Sequence, residues 1–136
     1  IESLQARLAE NAMVQEGDTP AEEPQALMAE LNAAIDALET LVKQINRTNN
    51  TAQLPDGTSV AEAIVSRNLL RTRRETLDQA AQSASMQQHR YMRTEVRFVP
   101  TISRADLRKQ IDGLAKDWRE LDAQIQSVNW MTELSA

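Results

Sequence analysis

The sequence contains no cysteine, so disulfides, thiolate nucleophiles and zinc–thiolate sites have nothing to form from. Aromatic rings are almost as scarce. Tyr91, Phe98, Trp118 and Trp130 make up 3% of the chain, although 41% of it is hydrophobic. A core this poor in rings is left to Leu, Ile, Val and Ala, which suit helix-on-helix seams better than a β-sandwich. Three glycines and four prolines leave no Gly-rich phosphate loop and no nucleophile elbow. No apolar run reaches the roughly 18–20 residues of a membrane span. The chain opens at Ile1, without methionine and inside a helical pattern, so native N-terminal residues, with any signal they hold, are expected to be missing. The 136 residues are read as a single helical domain, 1–136, in a reducing, cytoplasmic setting.

Positive charge is in deficit overall, with a net charge of −5 and a pI near 4.9, which argues against a dedicated nucleic-acid binder. The deficit is uneven. Residues 1–57 hold three basic side chains against ten acidic ones, and residues 58–136 hold twelve against ten. Arginine forks match carboxylates bidentately, so one half is expected to pair with the other, within or between chains.

What is present is helical periodicity broken at three joints: Gly17 with Pro20 and Pro24, Pro55 with Gly57, and Pro100. The first piece carries Ile1, Leu4 and Leu8 and is expected to run to about Gln15, with Gly17 as its cap. The second runs from about Pro24 to Asn46. It places Leu31, Leu38 and Ile45 in one column, Leu27, Ala34 and Leu41 in the next, and Met28, Ile35 and Val42 in a third. A stripe three columns wide faces more than one partner helix.

The third piece opens with Pro55-Asp56-Gly57 and an expected capping box between Ser59 and Glu62, and continues to about Gln88. Its apolar face is untidy, with Val65 and Leu69 offset to the other side. The fourth is capped by Ser103, and Leu107, Ile111, Leu114, Trp118, Leu121, Ile125 and Val128 follow by fours and threes, a coiled-coil-grade seam. Asp112 and Lys116 are ordered for an i,i+4 pair. Between these helices, residues 91–99 alternate in period two, which predicts one short β segment. It needs a partner strand, either Asn49–Leu54 or a strand of another subunit. The fold class expected is all-α: a long-helix hairpin or four-helix bundle with coiled-coil packing and that single β segment.

Candidate sites are few. Asn46 to Asn50 should close the second helix as a polar cap, while Arg47 and Asn49 with Arg67 and Arg71 offer a small anion or carboxylate pocket. The wider arginine set, which includes Arg93 beside Tyr91, lacks stacking partners for nucleic acid. Trp118 is expected in the core, and Trp130 at the bundle end or between subunits. His89 is a lone histidine without Glu-x-x-His spacing, so no metal is expected. Pairs such as Glu22 with Glu23, or Glu120 with Asp122, do not converge on one helix face. No catalytic residue and no cofactor are therefore expected, and the chain is read as not an enzyme.

Four peptides lie outside the periodicity: Asn11–Pro24 (NAMVQEGDTPAEEP), Ile45–Asn49 (INRTN), Arg90–Val99 (RYMRTEVRFV) and Leu121–Leu134 (LDAQIQSVNWMTEL). Together they resemble the septicolysin-like family of small, largely uncharacterised bacterial proteins. That resemblance implies an all-helical, hairpin-rich subunit forming a homo-oligomer, with a hexamer as the suggested count. The family's name implies a pore-forming or membrane-active alternative, against which stands the lack of a basic amphipathic helix with exposed aromatics. The reading taken from the residues is a non-enzymatic, self-assembling interaction protein.

Overall fold

The structure, a computed structural model, describes residues 1–86 and 99–134. The fold is all-α. Among the described residues four helices follow one another: α1 (Glu2–Asn11), α2 (Pro24–Thr51), α3 (Val60–Met86) and α4 (Arg104–Met131). They fall into two compact units, one of Ile1–Arg47 with Leu134 and one of Thr48–Glu133.

In the first unit, α1 stops four residues short of the expected Gln15. The cause is Asn11, which is buried at the helix end. Its Nδ2 donates to the Arg7 carbonyl at 2.8 Å, and its Oδ1 accepts the Glu22 backbone N–H at 3.0 Å. Gly17 does not cap the helix. It sits in a later turn with φ +96°, closed by the Asp18 N–H on the Gln15 carbonyl, where a left-handed φ favours glycine. The acidic segment then returns to α1, where Arg7 Nε donates to Glu22 Oε2 at 2.9 Å.

α2 also differs from expectation, running through Asn46–Asn50 to Thr51. The Ala52 N–H still bonds the Thr48 carbonyl at 2.8 Å, so the asparagines extend the helix instead of capping it. A tight hairpin follows at once. Leu54 N–H bonds the Thr58 carbonyl, Gln53 bridges Ser59, and Val60 N–H reaches the Ala52 carbonyl. Pro55, Asp56 and Gly57 form its three-residue loop, with Gly57 at φ +86°, the left-handed position such loops require. Asn49–Thr51 is thus helical, and Gln53 already has a partner in Ser59. This removes Asn49–Leu54 as a free strand for the segment 91–99. Residues 91–98 lie outside the described residues, and Val99 has no regular secondary structure.

The hairpin delivers the chain into α3 through the capping box. The Ser59 N–H donates to Glu62 Oε2 and the Glu62 N–H to Ser59 Oγ, each at 3.2 Å. α4 is capped by Ser103, whose hydroxyl accepts the Asp106 N–H at 3.3 Å. It runs unbroken through the predicted seam. α3 and α4 pack together and are antiparallel, because early Arg67 meets late Asp122 while late Ser85 meets early Arg104. The core of the second unit sits at one end of this pair. Leu54, Val60, Ala63 and Ile125 are buried there, with Ala52, Ile64, Leu121 and Val128 against them. Leu107 is buried too, whereas Ile111, Leu114 and Trp118 remain half-buried. Lys116 reaches Glu120 at 3.7 Å rather than the expected Asp112.

Candidate functional site

The polar chemistry of the second unit is concentrated where α3 and α4 face each other. Arg67 projects from the second turn of α3 and donates from Nη1 to Asp122 Oδ1 at 2.7 Å. Both side chains are about one-fifth to one-quarter exposed, so the pair is partly shielded from solvent. Among the described residues the buried Arg67 Nε has no hydrogen-bond partner, nor does the Trp118 Nε1. One helical turn along, Arg71 lies over the Trp118 indole, 5.6 Å from its centroid. Arg67 and Arg71 thus stack on one edge of α3 and take their partners from one edge of α4, as i,i+4 spacing dictates. The carboxylate that meets Arg67 comes from its own half of the sequence, not from the acidic first half.

Further along this side, the helices leave an open cleft of about 730 Å³. Arg74, Arg104 and Arg108 line it together with Asp78, Asp112 and Ser85. Arg104 donates to Ser85 Oγ, and Arg74 pairs with Asp78 at 3.6 Å. The mixed charge gives the cleft no dominant sign, and a carboxylate or phosphate entering it would compete with Asp78 and Asp112. Among the described residues no three His, Asp or Glu side chains stand close enough to share a metal ion. Arg104, Arg108 and Ser85 escaped the sequence reading because they are distant in sequence and none lies in a motif.

Of the residues singled out from sequence, Arg67 and Arg71 are brought together, with Asp122 and Trp118 as their partners. Arg47 is exposed and belongs to the first unit; Asn49 is half-buried and belongs to the second. Trp130 does not pack at the bundle end, since its side chain is 92% exposed. Tyr91 and Arg93, like His89, lie outside the described residues. Trp118 is half-buried under an arginine rather than enclosed in an aliphatic core.

The first unit contributes a different kind of surface. On α2 only Leu27 of the three apolar columns is buried, while Met28, Ile35, Leu38, Leu41, Val42 and Ile45 are 43–51% exposed. Glu39 and Lys43 pair with each other along this helix. No helix among the described residues is long and apolar enough to cross a membrane.

These features define an all-α protein built on an antiparallel helix pair, with a long amphipathic helix before it. Residues 1–134 match a family of unknown function, DUF6847, and the chain belongs to that family. Among solved structures it is similar to a functionally unknown conserved protein from Corynebacterium diphtheriae. The two are 37% identical with a TM-score of 0.88, over 98% of this chain and 88% of that one. No curated protein matches the chain. The family match corrects the septicolysin-like resemblance: neither the family nor the Corynebacterium structure carries any septicolysin link. The pore-forming alternative drawn from that resemblance loses its basis with it.

Proposed function

We propose that this protein is a non-enzymatic, cytoplasmic self-assembly protein, whose working surface is the apolar face of α2 and whose first partner is another copy of itself. The observation that carries this reading is the exposure of six aliphatic side chains along a 28-residue helix. They recur at heptad spacing, so they form a continuous stripe rather than scattered single contacts. Contiguous apolar patches larger than a few hundred Å² on soluble proteins mark interaction sites. A second copy suits the stripe because its spacing is that of a helix-binding surface, and the chain itself consists of helices with reciprocal spacing. Specificity of assembly, not chemistry, is what such a stripe supplies.

The test is the mass of the chain in solution. Sedimentation at micromolar concentration should give a multiple of the 15.2 kDa chain mass. The double substitution Leu38→Glu with Leu41→Glu should return it to the single-chain mass with unchanged helical circular dichroism. A wild-type protein that sediments as one copy at every concentration rules the reading out. Cell fractionation that recovers it outside the cytoplasm would remove the localisation.

A further inference from the structure

The side of the α3·α4 pair lined by Leu77, Gly113 and Leu114 is a mostly apolar groove of about 540 Å³. Helical spacing carries its α3 wall onward from Thr76 through Thr72 to Leu69 and Val65, which are 52% and 58% exposed. Their offset from the main face of α3 places them on this second side of the helix.

Gly113 is the informative residue. It lies in the interior of α4, its φ is not in the left-handed region, and a Cβ built on it would meet no atom of the described residues within 4 Å. Neither backbone conformation nor packing within the hairpin calls for glycine there, although glycine weakens a helix interior relative to alanine. What it does supply is a stretch of groove floor without a side chain, against which another backbone can lie closely.

We infer that this groove receives the apolar face of α2 from a second copy of the chain. The inference rests on the self-association reading and names the surface that α2 meets. The groove needs an apolar helix, and α2 exposes aliphatic columns along its length. The charges also complement. Arg73 lines the groove from α3 and Asp117 from α4. On α2, Glu39 and Lys43 flank Leu38, Leu41 and Val42 and are about 60% exposed, so their mutual pair is readily exchanged for contacts across an interface. In the assembly, Glu39 of the partner subunit faces Arg73, and Lys43 of the partner subunit faces Asp117.

The natural absence of cysteine makes cross-linking decisive. Copies carrying Gly113→Cys are co-expressed with copies carrying Leu38→Cys, and separately with Leu41→Cys to allow one step of register, and then mildly oxidised. A covalent pair of unlike copies is expected in at least one combination. Separately, Gly113→Leu, whose Cβ meets no atom of the described residues within 4 Å, should lower the assembly to single-copy mass while leaving helical content intact. An oligomeric wild type whose mass is unchanged by Gly113→Leu, or which links only like copies, overturns the groove assignment and leaves self-association standing. A cysteine pair placed in one chain that closes internally at single-chain mass also overturns it. A wild type that is never larger than one copy removes both.

Discussion

The guanidinium of Arg71 lies over the face of the Trp118 indole, 5.6 Å from the ring centroid, joining α3 to α4 across the middle of the hairpin. A cation over a tryptophan face at an exposed site contributes about 0.5–1 kcal/mol. Arg71→Ala should therefore lower unfolding stability by about that amount. Urea denaturation followed by tryptophan fluorescence, in a Trp130→Phe background that isolates Trp118, would read it. An unchanged midpoint would show that the stacking contributes nothing.

Arg67 and Asp122 form the better-shielded polar link. Removing either partner leaves the other partly buried and unpaired, a loss of about 1–3 kcal/mol. Asp122→Ala and Arg67→Ala should each destabilise in that range, and the double variant by less than the sum of the two. A double-mutant cycle from urea midpoints measures the coupling, and strictly additive losses would deny it.

The two glycine turns and the helical glycine respond oppositely to alanine. Gly57 holds φ +86° in the hairpin loop, where a Cβ costs roughly 1–2 kcal/mol. Gly113 sits in open helix, where alanine gains about 0.5–1 kcal/mol. Gly57→Ala should lower Tm and Gly113→Ala should raise it. Calorimetry at protein concentrations low enough to favour single copies separates this effect from any on assembly.

Acid should loosen the Arg7–Glu22 contact of the first unit and the hairpin loop at Asp56 of the second. Hydrogen bonding from Arg7 holds the Glu22 carboxyl below its ordinary value, and the Thr58 backbone N–H and hydroxyl do the same for Asp56. A depressed folded-state pKa adds stability that is present above the unfolded value, about pH 4, and is lost as pH falls through the lower folded value. Between pH 7 and 3, Tm should decline on the acid side, and Glu22→Gln should flatten that decline. A variant with the wild-type acid limb would sever the link to Arg7.

Much of this architecture is legible in residue spacing, and the exceptions have physical causes. Ser103 through Val128 reads as a single helix because every third or fourth residue is apolar. The Ser59–Glu62 box reads correctly because both partners are three residues apart. The end of α1 does not, because Asn11 is held by Glu22, a contact formed only once the acidic segment folds back. Nor does the end of α2, where polar Asn46–Asn50 suggests a cap but the backbone ladder continues into the Gln53–Ser59 bridge. At the candidate site, Arg67 and Arg71 stood out from the sequence as part of an anion or carboxylate pocket with Arg47 and Asn49. Asp122 and Trp118 could not be named as their partners without knowing the relative register of α3 and α4. Periodicity marks Trp118 as core but carries no information about a half-exposed seam.

The buried residues around Leu54, Val60, Ala63 and Ile125 gather at the end of the α3·α4 pair where the short hairpin enters. Parting the helices at the opposite end, beside Ser85 and Arg104, therefore leaves this cluster intact. Toward that end Leu107 is the one buried apolar residue of the pair among the described residues. Amide protons near Val60 and Ile125 should exchange with solvent slowest, near the global unfolding limit, while those flanking the arginine-lined cleft escape through smaller openings. Resistance to opening is accordingly graded along the helix pair and greatest where the hairpin enters it.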